Sequence, residues 1–452
     1  MGSKTLENLK NPMEPIAYLT VEVKHRDLDA RLLIASHLLK AGVSVVVGQQ
    51  WAIFGNVDTL PPGIVLFKTV NEIQAGNMPN CRQWGHLIAA TDEEVLQCID
   101  DKCFMLAFSP VAAANCDLFL AQSPAHRDAI DRQFPEMSDK VVVAGNSRID
   151  LLAPTGRASF AAEAEALRKT YGPYVLFNTN FGSINSIWND INRVINIAAR
   201  AGAFNPDDPA SLAEFKALLQ WEHKNFEELV PLIDWAVGNL TGHRIVIRPH
   251  PGERAAFWEE RFANPRVTVI PRSSPHPWIM GSDLVVHTGC TTGLEAELMD
   301  KPVINLMPSD HPTFDRIVNW ANPTFKTWQD AAAAATEFIA RGAGPVSENR
   351  DKYAKVLEQY LPGFRSGDAA KAIAAGMLAK LVERGAKPGM GNSMQYRGEF
   401  RMTTRQPVLK DKFVMSREEF TESVRLAHSL TGNPTMPRID TLDESLFMLS
   451  PA

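Results

Sequence analysis

Three short stretches of the 452-residue chain carry side chains suited to acid–base and phosphate chemistry. In the first, His287-Thr288-Gly289-Cys290-Thr291-Thr292-Gly293 sets hydroxyls and glycines between an apolar run, Leu284-Val285-Val286, and a helix-like start at Leu294-Glu295-Ala296. A strand, a small-residue loop and a helix N-terminus together offer backbone N–H groups and hydroxyls to a phosphate. Without that role, Thr291 or Thr292 is the N-cap of an ordinary β–α turn. In the second, Arg244-Ile245-Val246-Ile247-Arg248 ends in Pro249-His250-Pro251-Gly252-Glu253. The prolines stop the strand and fix the backbone around His250, which suits contact with a phosphate or leaving group. The alternative is a strand-ending turn with an exposed imidazole. In the third, Asp92-Glu93-Glu94 follows the apolar run His86–Ala90. Adjacent carboxylates repel, which raises the proton affinity of one of them and makes it a candidate base. Otherwise they are the acidic first turn of a helix.

These residues must be positioned by strands and helices, and the spacing predicts both. Residues 15–23 read as a strand and Asp27–Leu39 as an amphipathic helix closed by Gly42; residues 43–48 form the next strand, a βαβ unit that implies a parallel sheet. Further strands are expected at 63–67, 86–90, 118–121 and 141–145. The grammar restarts at Tyr174–Asn180, where Asn178, Thr179 and Asn180 end a strand, and strands recur at 244–248, 267–270, 284–286 and 303–306. A helical insertion fills roughly 186–237, interrupted near Asn205–Pro209, and Asp368–Arg384 reads as an Ala/Leu helix. The expected organisation is α/β. Two Rossmann-type domains, 1–154 and 171–386, carry parallel sheets facing a central cleft; a linker spans 155–170, and a C-terminal extension spans 387–452.

Composition narrows the function classes. A 45% hydrophobic and 22% charged chain is that of a globular protein, and a net charge of −6 argues against a general nucleic-acid binder. Five cysteines (81, 98, 103, 116 and 290), odd in number and without CxxC spacing, are expected to be reduced thiols in the cytoplasm. No uncharged apolar run reaches the roughly 18 residues of a membrane span. The basic, apolar-interleaved residues 397–412 leave room for peripheral contact with the inner face of a membrane; a solvated tail or an arm packed on the first domain is the alternative. No GxGxxG follows the first strand and no GxxxxGK[ST] occurs, which disfavours dinucleotide and P-loop chemistry. Asp27-Leu28-Asp29 has metal-pair spacing, but on a helix residues i and i+2 diverge.

Val21-Glu22-Val23-Lys24-His25-Arg26-Asp27-Leu28-Asp29-Ala30-Arg31-Leu32-Leu33 resembles the opening signature of the bacterial surface carbohydrate biosynthesis proteins. Asp92-Glu93-Glu94, Gly145-Asn146-Ser147-Arg148-Ile149-Asp150-Leu151, Asn178-Thr179-Asn180-Phe181 and the His250-Pro251 and Thr291-Thr292-Gly293 loops match in the same order. The likeness covers about residues 15–385. More distantly, the set resembles GT-B glycosyltransferases that use CMP-activated acidic sugars, of the sialyltransferase or Kdo-transferase kind. That resemblance implies a metal-independent enzyme without cofactor. An acidic residue would act on the acceptor hydroxyl, while the His-Pro and hydroxyl loops hold the CMP phosphate and ribose. Val95 stands where the acidic motif of those enzymes has glycine, so Asp92, Glu93 and Glu94 all stay in play, with Glu93 or Asp92 favoured.

The expected site is thus catalytic at Glu93, Asp92 and His250. Nucleotide contacts are expected from Asn178, Thr179, Asn180, His250, Pro251, His287, Thr288, Thr291, Thr292, Gly293 and Glu295. Glu295 would accept from ribose hydroxyls or serve only as a first-turn helix acid. Sugar or acceptor contacts are expected from Glu22, Lys24, Arg26, Glu94 and Arg148; Arg26 suits a sugar carboxylate by bidentate pairing, or an ion pair with Glu22. Asn146, Arg148 and Asp150 sit where the first domain hands over to the second. The expected partners are a CMP-sugar and a glycan or glycoprotein acceptor. A CDP-glycerol-type polyol-phosphate transferase, a nucleotide-sugar 2-epimerase and a non-catalytic glycan-assembly scaffold are the alternatives.

Overall fold

A computed structural model describes residues 15–270, 273–313, 315–341, 357–389, 413 and 415–452. Its strands, in chain order, are β1 (Ile16–Val21), β2 (Ser44–Gln49), β3 (Ile64–Phe67), β4 (Leu87–Ala90), β5 (Leu118–Ala121), β6 (Val141–Val143), β7 (Tyr174–Asn178), β8 (Arg244–Arg248), β9 (Val267–Val269), β10 (Leu284–His287), β11 (Val303–Leu306), β12 (Thr324–Phe325), β13 (Arg438–Asp443) and β14 (Leu446–Ser450). They form two sheets, and the chain divides into two compact units. Unit 1 comprises residues 1–96, 107–151 and 359–452; unit 2 comprises 97–106 and 152–358.

Unit 1 carries the sheet β13-β14-β2-β1-β3-β4-β5-β6. Strands β1 to β5 are apolar throughout or nearly so and buried along their length, the pattern of a parallel sheet covered on both faces. The helix Lys24–Lys40 connects β1 to β2 and packs on the helices Ala369–Glu383 and Arg417–Leu430. Two glycines make this packing feasible. A Cβ on Gly42, at φ +80°, would lie 2.4 Å from the backbone nitrogen of Gly389, and a Cβ on Gly48 would lie 2.2 Å from the Ser445 carbonyl. The second contact lets β14 pair antiparallel with β2. Stacking of Phe420 on Phe447, centroids 4.1 Å apart, then seals the Arg417–Leu430 helix against that added strand.

Unit 2 carries an all-parallel sheet, β12-β11-β10-β7-β8-β9. One face packs on the long helix Pro209–Asn239 and on Trp328–Arg341, through Phe177, Ile233, Ile247, Val286 and Ala335. The opposite face carries Tyr174, whose hydroxyl donates to the Trp278 carbonyl at 2.7 Å. The helical insertion is present as Ile191–Arg200 and Pro209–Asn239.

The boundaries differ from the expectation in three places. The expected linker is structured: Ala161–Tyr171 is a helix packed on Pro275–Gly281 within unit 2. The Ala369–Glu383 helix belongs to unit 1, because Asp150 accepts the N–H groups of Ala369 and Ala370 at 3.1 and 2.7 Å. The extension is not separate either, since 415–452 completes the first sheet, while residues 397–412 lie outside the described residues. The cysteine reading also needs correction: Cys98 and Cys103 are disulfide-bonded, and Cys81, Cys116 and Cys290 are buried thiols. Among the described residues no helix is long and apolar enough to cross a membrane.

Candidate functional site

In an open parallel sheet, ligands bind beyond the carboxyl ends of the strands where the strand order reverses. Unit 1 reverses at β1 and β3, the two strands followed by Glu22 and by Lys68-Thr69. The next strand, β4, delivers Asp92-Glu93-Glu94 to the same edge. The Glu93 N–H donates to the Lys68 carbonyl at 3.0 Å and ties the two loops together.

This edge is a dense ionic layer. Lys68, whose side chain is 3% exposed, pairs with Glu22 at 2.8 Å and Glu94 at 3.0 Å. Arg26 meets Asp27 at 2.6 Å, Glu22 at 3.3 Å and Glu94 at 3.8 Å. Asp27 also accepts the N–H groups of Glu22 and Val23, both at 3.0 Å. Burial opposes charge on Asp27, but Arg26 and Lys68 outweigh it and hold the carboxyl well below the usual carboxylate range. Burial and Arg26 likewise oppose the Lys68 charge, and Glu22, Glu94 and Asp27 overcome both, so the ammonium stays protonated. Lys68, against the cost of its partial burial, brings Glu94 down to about 2.

The acidic trio therefore separates into three environments. Glu94 is half-exposed and ion-paired. Glu93 is buried and bound to Arg31 at 2.7 Å, and Arg31 Nε donates in turn to the Thr20 carbonyl at 3.1 Å. Its negative charge is committed to a buried guanidinium, so Glu93, the expected base, is a structural anchor. Asp92 has no cation as its main partner. Its Oδ1 accepts from Thr69 Oγ1 at 2.9 Å and from the Glu94 N–H at 3.2 Å. Burial, reinforced by the nearby Glu94 charge, pushes the Asp92 carboxyl up to about 7. Among the three, Asp92 is the one poised to exchange a proton near neutrality.

The expected sugar contacts in this unit also change. Arg26 is engaged by three carboxylates rather than presented to a ligand, and Lys24 pairs with Glu419 at 2.8 Å on the Arg417–Leu430 helix. Arg148 is half-buried in the short helix Ser147–Asp150, capped by Asn146. Asn146 Nδ2 donates to Gln122 Oε1 at 3.3 Å, and burial raises Asp150 to about 6 at its helix-anchoring position.

Unit 2 reverses its strand order at β7 and β10, where Asn178 and His287 stand opposite each other; Asn178 is also level with Arg248 of β8. Here Glu253, buried at 4% exposure, organises the loops. It accepts from Thr179 Oγ1 (2.6 Å), the N–H groups of Phe181 (3.1 Å) and His250 (3.0 Å), and Trp258 Nε1 (2.9 Å). Thr179 is thus spent on the scaffold, and Asn180 is half-buried beside it. His250 itself is exposed, and its Nδ1 accepts the Gly252 N–H at 3.1 Å. That bond leaves the proton of the neutral ring on Nε2. Gly252 makes room for the ring, since a Cβ there would lie 3.2 Å from Nδ1, whereas a Cβ on Gly182 would sit in ordinary contact at 3.5 Å.

His287 is not a ligand contact. It is fully buried; Nδ1 accepts the Cys290 N–H at 3.2 Å and Nε2 bonds Asn322 Oδ1 at 2.9 Å. Burial lowers its pKa to about 4. A Cβ on Gly293 would fall 2.1 Å from His287 Nε2, so Gly293 serves helix-to-imidazole packing, and its N–H is used by the Cys290 carbonyl at 3.0 Å. The helix Thr291–Leu298 begins at Cys290 without a side-chain cap, so neither threonine is the cap. Gly289, at φ +67°, donates its N–H to Asn305 at 2.8 Å. Thr288 is buried, Thr291 half-buried. Glu295 is buried 3.8 Å from His276 rather than offered to a ribose. Buried polar atoms without a partner among the described residues include both amide atoms of Asn178, Thr292 Oγ1, Arg248 Nε and Ser274 Oγ. Each such atom costs on the order of 1–3 kcal/mol unless something outside the chain satisfies it.

Lys68, Thr69, Arg31 and Glu253 were not singled out from sequence. The signal existed for two of them, because Lys68-Thr69 directly follows an apolar run, much as Asp92 follows Leu87–Ala90 one residue on. Among the described residues no cluster of three His, Cys, Asp or Glu suits a metal ion.

The sequence matches no protein-family description and no curated protein. Solved structures similar to the chain include the UDP-GlcNAc 2-epimerase from Neisseria meningitidis bound to UDP-GlcNAc, at 13% identity and TM-score 0.49, covering 80% of this chain and 99% of that one. The wall teichoic acid polymerase TagF is similar at 10% identity and TM-score 0.46, over 84% of this chain and 91% of that one. Anabaena HepE in complex with UDP and glucose is similar at 14% identity and TM-score 0.42, over 81% and 99%. At these values the likeness carries no inference about activity, and the function rests on the residues.

Proposed function

We propose that the protein is a glycosyltransferase that moves an acidic sugar from a CMP-activated donor to a surface glycan or glycoprotein acceptor, with Asp92 as the proton acceptor. The observation that carries this reading is the environment of Asp92: a buried carboxyl beside a hydroxyl, raised to about 7, at the carboxyl edge of a parallel sheet. An alcohol becomes a competent nucleophile only as its proton leaves, and a base matched to neutral pH accepts it most effectively. The negative charge that develops on the departing phosphate needs donors. His250 Nε2, Thr292 and the uncapped start of the Thr291–Leu298 helix supply donors of that kind in unit 2.

The acidic-sugar and CMP elements rest on the sequence resemblance. The ion-paired state of Arg26 gives the sugar carboxylate no receptor at that position. Calorimetric titration with CMP, CDP and UDP tests the donor. Preference for CMP supports the proposal, preference for CDP supports polyol-phosphate transfer, preference for UDP supports an epimerase, and no binding supports a scaffold.

A further inference from the structure

Unit 1 has a second concavity at the opposite end of β2 from the ionic layer. A cavity of about 770 Å³ opens there, within the range of small-molecule sites. It is lined by Lys40, Ser44, His428, Thr435 and Ser450, with prolines among its walls. β2 starts at Ser44 and runs six residues, so the cavity lies about 17 Å or more along the strand from the edge that carries Glu22 and Asp92.

Two of its polar side chains are buried, and each keeps one polar atom without a partner among the described residues. His428, in the last turn of Arg417–Leu430, is 4% exposed, and its Nδ1 donates to the Thr435 carbonyl at 3.0 Å. The neutral ring then carries a lone pair on Nε2, and Nε2 has no partner among the described residues. Burial lowers the pKa of this imidazole, which keeps the lone pair available near neutrality. Ser450, 5% exposed at the end of β14, likewise has a hydroxyl without a partner. An acceptor and a hydroxyl in one concavity match a hydroxyl-bearing ligand. The exposed Lys40 on its lining suits a negative group at the ligand's other end.

We propose that this cavity binds a small phosphorylated sugar or polyol, with His428 and Ser450 taking its hydroxyls and Lys40 its phosphate. The site is separate from the transfer chemistry and stands whether or not that assignment holds. The test is calorimetric titration of the full chain with glucose 1-phosphate, and in separate arms with glucose and with inorganic phosphate. Glucose 1-phosphate is expected to bind more tightly than either fragment. Ser450→Ala and Lys40→Ala should each weaken it about tenfold, and His250→Ala should leave it unchanged. Both variants are checked for an unaltered urea midpoint, so the result does not depend on whether a His428 variant folds. Absence of heat with wild type overturns the proposal. So does indifference to Ser450→Ala and Lys40→Ala, inorganic phosphate binding as tightly as the sugar phosphate, or loss of the signal in His250→Ala.

Discussion

The two sheet edges solve different electrostatic problems. In unit 1 the strand ends satisfy one another: Lys68 and Arg26 are surrounded by Glu22, Asp27 and Glu94, Arg31 holds Glu93, and Asp92 is left with an elevated proton affinity. In unit 2 the loops are braced by the buried Glu253 and His287, while Asn178, Thr292 and Arg248 Nε keep polar atoms without partners among the described residues. One edge pairs its charges largely within itself and tunes a proton acceptor, although Arg31 Nη2 and Glu93 Oε2 keep no hydrogen-bond partner among the described residues. The other leaves a cluster of buried polar atoms unpaired among the described residues. A site of the first kind shows itself in catalysis and stability, and one of the second kind in ligand affinity.

That contrast can be broken most severely at Asp92. Asp92→Asn is expected to lower turnover on the order of 10²–10⁴-fold while nucleotide affinity stays within twofold, measured by steady-state kinetics beside calorimetry. Equal losses in both would mean that the two edges are not separable in function. Next in size is Arg31→Leu, which strands the buried Glu93 charge and should cost about 3–5 kcal/mol in urea unfolding. The double variant Arg31→Leu/Glu93→Leu should regain most of that loss, and no regain would refute the ion-pair account.

In unit 2 the effects should be smaller and lie in binding. His250→Ala is expected to weaken nucleotide affinity roughly tenfold with little change in stability, consistent with one hydrogen-bond donor on an exposed ring. The pH dependence sharpens the comparison further. Asp92 must be deprotonated to act, so kcat/KM should fall as pH drops through about 7. Removing the neighbouring charge in Glu94→Gln should move that limb to lower pH, by less than one unit, in a pH–rate profile. The smallest stability effect belongs to Thr292→Val. It replaces an unpartnered buried hydroxyl, so stability should hold or rise by up to about 1 kcal/mol while nucleotide binding weakens.

The elements were largely legible from period and punctuation. β5 falls at 118–121 as its apolar run predicts, and the helix Asp368–Arg384 differs from the observed Ala369–Glu383 by a residue at each end. The loops that end β4, β7, β8 and β10 were also readable, because polar residues directly after buried strands have nowhere else to go. Which of those residues meets a ligand was not readable, since the answer lies in pairings distant in sequence. Glu93 and Asp92 are neighbours of like type, separated only by Arg31, sixty-odd positions earlier, and by Thr69. His287 looks like a loop histidine until Asn322 and Gly293 are seen to enclose it. The last segment was misassigned for the same reason. Leu446–Ser450 is an apolar run like the earlier strands, but its partner lies about four hundred positions away, and only pairing with β2 at Gly48 makes β14 part of a sheet.

The pairing of β14 with β2 sets an order of events on the ribosome. Unit 2 is contained within residues 97–358, whereas the two strands at one edge of the first sheet come from beyond residue 437. During synthesis the inserted half can reach its final fold while the host half still has an open strand edge at β2, and that edge stays uncovered for tens of seconds at about 5–20 residues per second. The emerging chain must keep a sticky β-edge from pairing with its neighbours on the same message until its own last strand arrives to cover it.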